Sequence, residues 1–258
     1  LFIICSQSGE TRDLINTLDI CKKIDCITLG VVNVVDSMIA KMVDCGVYLN
    51  AGVEKAVAST KSYTSMLVVL SLIAMWFKVN NNLVINNLRN IPDAVSNLLD
   101  NSLLEKQCLN LVDEIKRKNI ENMFILGSDK LFSVAKEGAL KIKEISYIHA
   151  EAYSAGSLKH GPFALLDPKT IVILLVTSNN KDKLISTYHE IVARDTNCWV
   201  LTDIDFDLFK NKIMVPNVNY YKEILFIIIL QLLAYKLSIS REINPDKPRN
   251  LAKVVTVE

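Results

Sequence analysis

The ten residues "ICSQSGETRD" (4–13) decide how the chain is read. They leave an apolar run, set Ser6, Gln7, Ser8 and Thr11 around Gly9, and then turn amphipathic. A hydroxyl-rich turn between a strand and a helix has two readings. One is a capped helix with Ser8 at the N-cap, its side-chain oxygen taking an amide of the first turn. The other is an anion site, where backbone N–H groups and the positive end of the helix dipole face a ligand. Three hydroxyls and a glutamine in six residues favour a phosphate, with Gly9 allowing close backbone approach.

Outward from this turn, short apolar runs alternate with helical spacing. The pattern predicts strands at 1–5, 26–32 and 46–49, a helix at about 10–23 and a short helix before the third strand. A helix at about 59–77 is apolar nearly all round, so it is expected to be buried. Residues 78–90 are rich in asparagine, and Ile91-Pro92-Asp93 opens a further helix, proline being well tolerated in a first turn. Strands follow at 123–126, 171–176, 198–201 and 213–215, with helices at about 131–147, 181–194 and 219–238. This order predicts an α/β fold of two doubly wound lobes with parallel sheets flanked by helices, the first incomplete. The lobes are placed at 1–90 and 121–240, with a helical connector at 91–120 and a tail at 241–258. "FIICSQSG" (2–9) and "VILLVTSNN" (172–180) hint at duplication, but the second copy lacks the glycine and most of the hydroxyls.

Composition removes several function classes. Half of the 258 residues are hydrophobic and 22% are charged, as in a folded globular chain. The formal charge of +1 comes from basic residues spread along the chain, which gives no footprint for nucleic acid. The six cysteines form no C-x-x-C pair and read as reduced core residues, and the three histidines lack metal-ligand spacing. The apolar runs 66–77 and 224–234 fall short of the roughly 20 residues of a membrane span. A cytosolic protein without a membrane segment is expected.

Two further stretches carry chemistry. In "AKEGALKIKEISYIHAEAYSAGSLKHGP" (135–162), Glu137, Lys141 and Glu144 fall on one helical face, either as surface ion pairs or as an acid–base group. His160, in a glycine-bounded turn beyond it, is placed like a mobile acid or base. In the tail "NPDKPRNLAKVVTVE" (244–258), Lys253 sits among apolar residues and is either a solvated edge-strand lysine or, beside other cations, a carbonyl nucleophile.

Together these stretches resemble the isomerase domain of glutamine–fructose-6-phosphate amidotransferases, built from two sugar-isomerase (SIS) lobes. The matching segments are "SQSGET" (6–11), "VASTKSYT" (57–64), "EGALKIKEISYIHAEAY" (137–153), "LKHGP" (158–162) and "DKPRNLAKVVTVE" (246–258). The resemblance implies that Ser6, Gln7, Ser8 and Thr11 hold a sugar phosphate, and that Val57, Ser59, Ala252 and Glu137 contact the sugar. It implies that His160 assists ring opening, Lys253 forms a Schiff base at C2, Glu144 shuttles a proton between C1 and C2, and Lys141 is its electrostatic partner. Fructose 6-phosphate is the implied substrate and glucosamine 6-phosphate the product, with no metal or organic cofactor. The implied partners are a glutaminase domain, normally in the same chain, and a second copy in a homodimer. The chain departs from the family at Ser157, commonly glutamate, and at Val254, commonly serine. The resemblance also implies that the glutaminase domain and the front of the first lobe are missing from these residues. The alternative in another class is a non-catalytic sugar-phosphate-binding SIS module.

Overall fold

A computed structural model describes residues 1–77 and 82–253, so Val254 and part of the asparagine-rich stretch lie outside the described residues. The chain divides into two compact units. One holds Leu1–Ile85 and the carboxyl-terminal segment from Asp246, the other Asn86–Pro245.

The first unit is built on a parallel sheet in the order β1 (Phe2–Ser6), β2 (Thr28–Val32), β3 (Cys45–Tyr48). Ile4 pairs with Gly30 and Gly30 with Gly46, so the three strands end at one level and their following turns share one edge. All five residues of β2 are buried, whereas β3 is exposed along its length. The helices α1 (Arg12–Lys23) and α2 (Met38–Met42) cover one face, where Ile4, Leu18, Val32 and Ile39 form a core. On the other face α3 (Lys61–Phe77) packs Ile73, Met66, Val69 and Leu70 against Leu29, Val31 and Leu49. The expectation of a buried α3 is corrected: only Ser62 and Ile73 are buried, and Trp76 is 79% exposed. A helix that is apolar all round still has one sheet to pack on, so only one stripe is covered.

The second unit carries a five-stranded parallel sheet in the order β5 (His149–Ser154), β4 (Asn122–Gly127), β6 (Thr170–Val176), β7 (Asn197–Thr202), β8 (Lys212–Met214). The strand β5 was not expected, because "HAEAYS" lacks a β-branched run. The helix α4 (Asn82–Arg89) crosses the boundary between the units, and α5 (Ile91–Leu99), α6 (Ser102–Arg117), α7 (Lys130–Ser146), α8 (Lys181–Val192) and α9 (Lys222–Ser240) belong to the second. Asn101 caps α6, its Oδ1 accepting the amides of Leu103 (2.9 Å) and Leu104 (3.1 Å). The sheet is enclosed by α7 and α6 on one side and α8 on the other, and α9 packs on α7 and α6. By length and composition α9 could cross a membrane, but more than half of it is buried in this core. Burial of Ile, Leu and Phe side chains is worth roughly 1.5–3 kcal/mol each, so α9 is a principal source of the unit's stability. Close approach of α7 and α9 depends on Gly138, where a Cβ would lie 2.4 Å from Leu230 Cδ1.

Candidate active site

The turn after β1 is ordered by its own hydroxyls. Ser6, buried at the carboxyl end of the strand, accepts the Gly9 N–H at 3.0 Å and lies 3.4 Å from the Thr11 hydroxyl. Ser8 Oγ accepts the Glu10 amide at 3.2 Å. The N-cap of α1 is Thr11, not Ser8, and no side chain caps the helix. The capping reading of Ser8 therefore fails, because the turn closes three residues earlier, onto Ser6. A positive helix end without a side-chain cap, beside the half-buried Gln7, Ser8 and Thr11, suits a phosphate.

Gly9 is required by its surroundings. Its φ is +68°, and a Cβ there would sit 2.0 Å from Ser37 Oγ. The close approach that glycine permits is thus to Ser37. The same junction stitches the turn to α2: Ile39 N–H donates to Gly9 O at 2.9 Å and Met38 N–H to Glu10 Oε1 at 2.8 Å. Ser37 Oγ is buried with no hydrogen-bond partner among the described residues. Glu10 and Ser37 escape a sequence reading because the Met38 amide that Glu10 accepts and the Gly9 that Ser37 packs against each lie about 28 positions away.

The corresponding turn of the second unit, after β6, is filled by its own side chains. Thr177 N–H donates to Asn180 Oδ1 (2.7 Å), Ser178 N–H to Asp203 Oδ1 (2.8 Å), and Asn180 Nδ2 to Ser128 Oγ (3.0 Å). Amides that could face an anion are already occupied there.

On α7 the apolar side, Leu131, Val134, Ala135, Gly138, Ala139, Ile142 and Ile145, is buried. The polar side is no ordinary surface either. Lys141 is only 4% exposed, and its Nζ lies 2.7 Å from Glu144 Oε2 and 3.4 Å from Glu137 Oε1. Burial pushes the Glu137 carboxyl above its ordinary range, the charge of Lys141 opposing and that of Glu144 adding to the rise. Two half-buried carboxylates held by one buried cation have the geometry of an acid–base group. His160 ends a 3-10 turn, Ala155–His160, anchored by the buried Ala155 and Leu158; the histidine itself is exposed, as is Ser157. The next residue, Gly161, has φ +145°.

In the first unit the tail returns to the loop before α3. Val57 N–H donates to Asp246 O at 3.3 Å, and Lys253 Nζ donates to Val57 O at 3.4 Å. Lys253, Val57 and Ser59 are half-buried, and Ala252 is exposed. Glu54 interacts electrostatically with Lys253. Glu54 is itself buried. Its carboxylate accepts the Ser62 amide (2.9 Å) and hydroxyl (2.5 Å), and the Thr60 hydroxyl at 3.2 Å. Burial opposes its ionisation, but the Ser62 bonds, the charge of Lys253 and the Thr60 bond hold the carboxyl below its ordinary range. The structure thus gathers Ser6, Gln7, Ser8 and Thr11 in one turn, Val57 and Lys253 in one contact, and Glu137, Lys141 and Glu144 on one helix.

The six cysteines are free thiols. Cys21, Cys108 and Cys198 are core residues, with Cys108 pushed up to about 11 by burial, but Cys45 is exposed on β3. The expectation of six core cysteines holds only in part, since β3 is uncovered.

Comparison with known proteins gives a consistent result. The SIS domain family matches residues 1–76 and 116–240. Over its whole length the chain is 43% identical to a protein of Acanthamoeba polyphaga mimivirus named "Probable glutamine--fructose-6-phosphate aminotransferase [isomerizing]". It is 38% identical to the glutamine–fructose-6-phosphate aminotransferase [isomerizing] of Caldanaerobacter subterraneus subsp. tengcongensis. The chain spans 43% and 44% of the lengths of these two relatives. Among solved structures, the C-terminal domain of glucosamine-fructose-6-phosphate aminotransferase from Francisella tularensis superposes with a TM-score of 0.84 at 32% identity. That match covers 95% of this chain and 72% of that domain. The chain belongs to the SIS domain family, in the group represented by the C-terminal domain of glucosamine-fructose-6-phosphate aminotransferase.

Proposed function

We propose that this chain carries out the isomerising and aminating half of a glutamine–fructose-6-phosphate aminotransferase, converting fructose 6-phosphate and ammonia to glucosamine 6-phosphate and water. The observation that carries this reading is the Glu137–Lys141–Glu144 row on α7, with its buried lysine, in a chain that also docks Lys253 against Val57. A module that only binds a sugar phosphate needs the turn at 6–11 and neither of these groups.

In this reading the turn of Ser6, Gln7, Ser8 and Thr11 holds the phosphate, and Val57, Ser59, Ala252 and Glu137 contact the sugar. His160 moves a proton as the ring opens. The Lys253 amine adds to the C2 carbonyl and water leaves, giving a protonated imine that can accept an electron pair. Ammonia displaces the lysine at C2. Glu144 takes a proton from C1 and returns it to C2, leaving an amine on C2 and an aldehyde at C1. Lys141 keeps Glu144 ionised and aimed. The proton shift moves electrons only within the sugar, so no redox cofactor enters.

The reading includes a glutaminase domain that supplies the ammonia, a cytoplasmic setting for amino-sugar synthesis, and a homodimer in which His160 serves the partner's site. It assigns 1–90 and 121–240 to the two lobes, 91–120 to a connector and 241–258 to the tail that brings Lys253. The test is formation of glucosamine 6-phosphate from fructose 6-phosphate and an ammonium salt, read by mass spectrometry. Product is expected from the parent chain and lost in Lys253→Ala and Glu144→Gln. Binding of fructose 6-phosphate with no product would make the chain a ligand-binding module.

A further inference from the structure

Glu54 belongs to none of the groups named so far, yet it is a buried carboxylate in the loop before α3, the loop that Lys253 of the tail contacts through Val57. Three clamps hold that loop. Asn33 grips its start, Oδ1 accepting Ala51 N–H at 3.0 Å and Nδ2 donating to Gly52 O at 2.8 Å. Glu54 grips its end through Thr60 and Ser62, and Asp246 O holds Val57 N–H from the tail. The carbonyl of Val57, inside the stretch that Glu54 closes, is the acceptor for Lys253 Nζ. The cation that acts on the carboxylate is Lys253 from the tail, which helps hold Glu54 ionised.

We propose that Glu54 is the positioning residue of Lys253: it closes the 54–60 loop so that the Val57 carbonyl meets the lysine, and it sets a fixed negative charge beside the lysine nitrogen. The part concerning the imine rests on the proposed function; the part concerning position and charge does not. A bare carboxylate there favours the protonated over the neutral imine, and the protonated form makes C2 electrophilic enough for ammonia to attack. Glu54 does this without touching the reacting carbons.

The sugar-independent test is competitive acylation of Lys253 by a neutral amine reagent across pH, quantified by mass spectrometry. Glu54→Gln should move the labelling midpoint of Lys253 to lower pH by about one unit. Glu54→Asp, which keeps the charge, should recover much of that shift. By linkage, Lys253→Met should raise the pH at which a 13C-labelled Glu54 carboxyl protonates, a reading that does not depend on Glu54 variants folding. An unchanged midpoint in either titration overturns the proposal; a lowered yield at every pH without a shift would mean a packing role alone. Shifts as expected, with no imine trapped from fructose 6-phosphate in the parent chain, would reject the proposed function and leave the positioning role standing.

Discussion

Gly9→Ala tests whether the phosphate turn is held as described. Two costs add at this position. An alanine at φ +68° leaves the region that L-residues favour, costing about 1–2 kcal/mol. Its Cβ also falls 2.0 Å from Ser37 Oγ and 2.5 Å from Ser37 Cβ, against backbone fixed by the Ile39-to-Gly9 hydrogen bond. Overpacking of this kind costs about 1–3 kcal/mol, so the total expected loss is about 2–5 kcal/mol. The two costs separate in a double-mutant cycle. Ser37→Gly removes both overlapping atoms and, at a helix N-cap, costs only a few tenths of a kcal/mol by itself. The double variant should therefore recover about 1–3 kcal/mol, leaving the backbone cost. The assay is urea unfolding by circular dichroism, with hydrogen exchange at the Ile39 amide as the local readout. A loss below about 1 kcal/mol in Gly9→Ala, or simple additivity in the double variant, would refute the reasoning.

Two further outcomes follow from α7. Because the folded protein raises the Glu137 carboxyl above its ordinary range, ionised Glu137 costs stability at neutral pH, and that cost disappears as pH falls through the raised value. Glu137→Gln should thus be more stable than the parent at pH 7, with the difference vanishing toward acid, measured by urea unfolding at a series of pH values. Gly138→Ala should cost about 1–3 kcal/mol through its overlap with Leu230, partly relieved by Leu230→Ala in the same chain.

The sequence carried the alternation of strands and helices well, because the signals are strong where elements are buried. Seven consecutive apolar or β-branched residues make β6 plain, and 3.6-residue spacing from Leu131 to Ile145 makes α7 plain. It failed where tertiary context decides. The edge strand β5 is written in His, Ala and Glu, pairs on one side only, and follows α7 after a left-handed Tyr147. The uniformly apolar α3 could not show which stripe meets the sheet. At the site, the hydroxyls of 6–11 and the row on α7 were visible from local spacing alone. Glu54 was not, because a lone carboxylate in "AGVEKAVAST" (51–60) has no period, and its role depends on a lysine nearly two hundred positions away. The free Cys45 was misplaced for the same reason as α3: exposure belongs to the sheet, not to the residue.

The most direct test of the central claim is borohydride reduction of the chain in the presence of fructose 6-phosphate, followed by peptide mapping. The account predicts a reduced sugar-phosphate adduct on Lys253, absent without borohydride and absent in Lys253→Ala. Saturable binding of fructose 6-phosphate with Lys253 unmodified, or an adduct on another lysine, would contradict it.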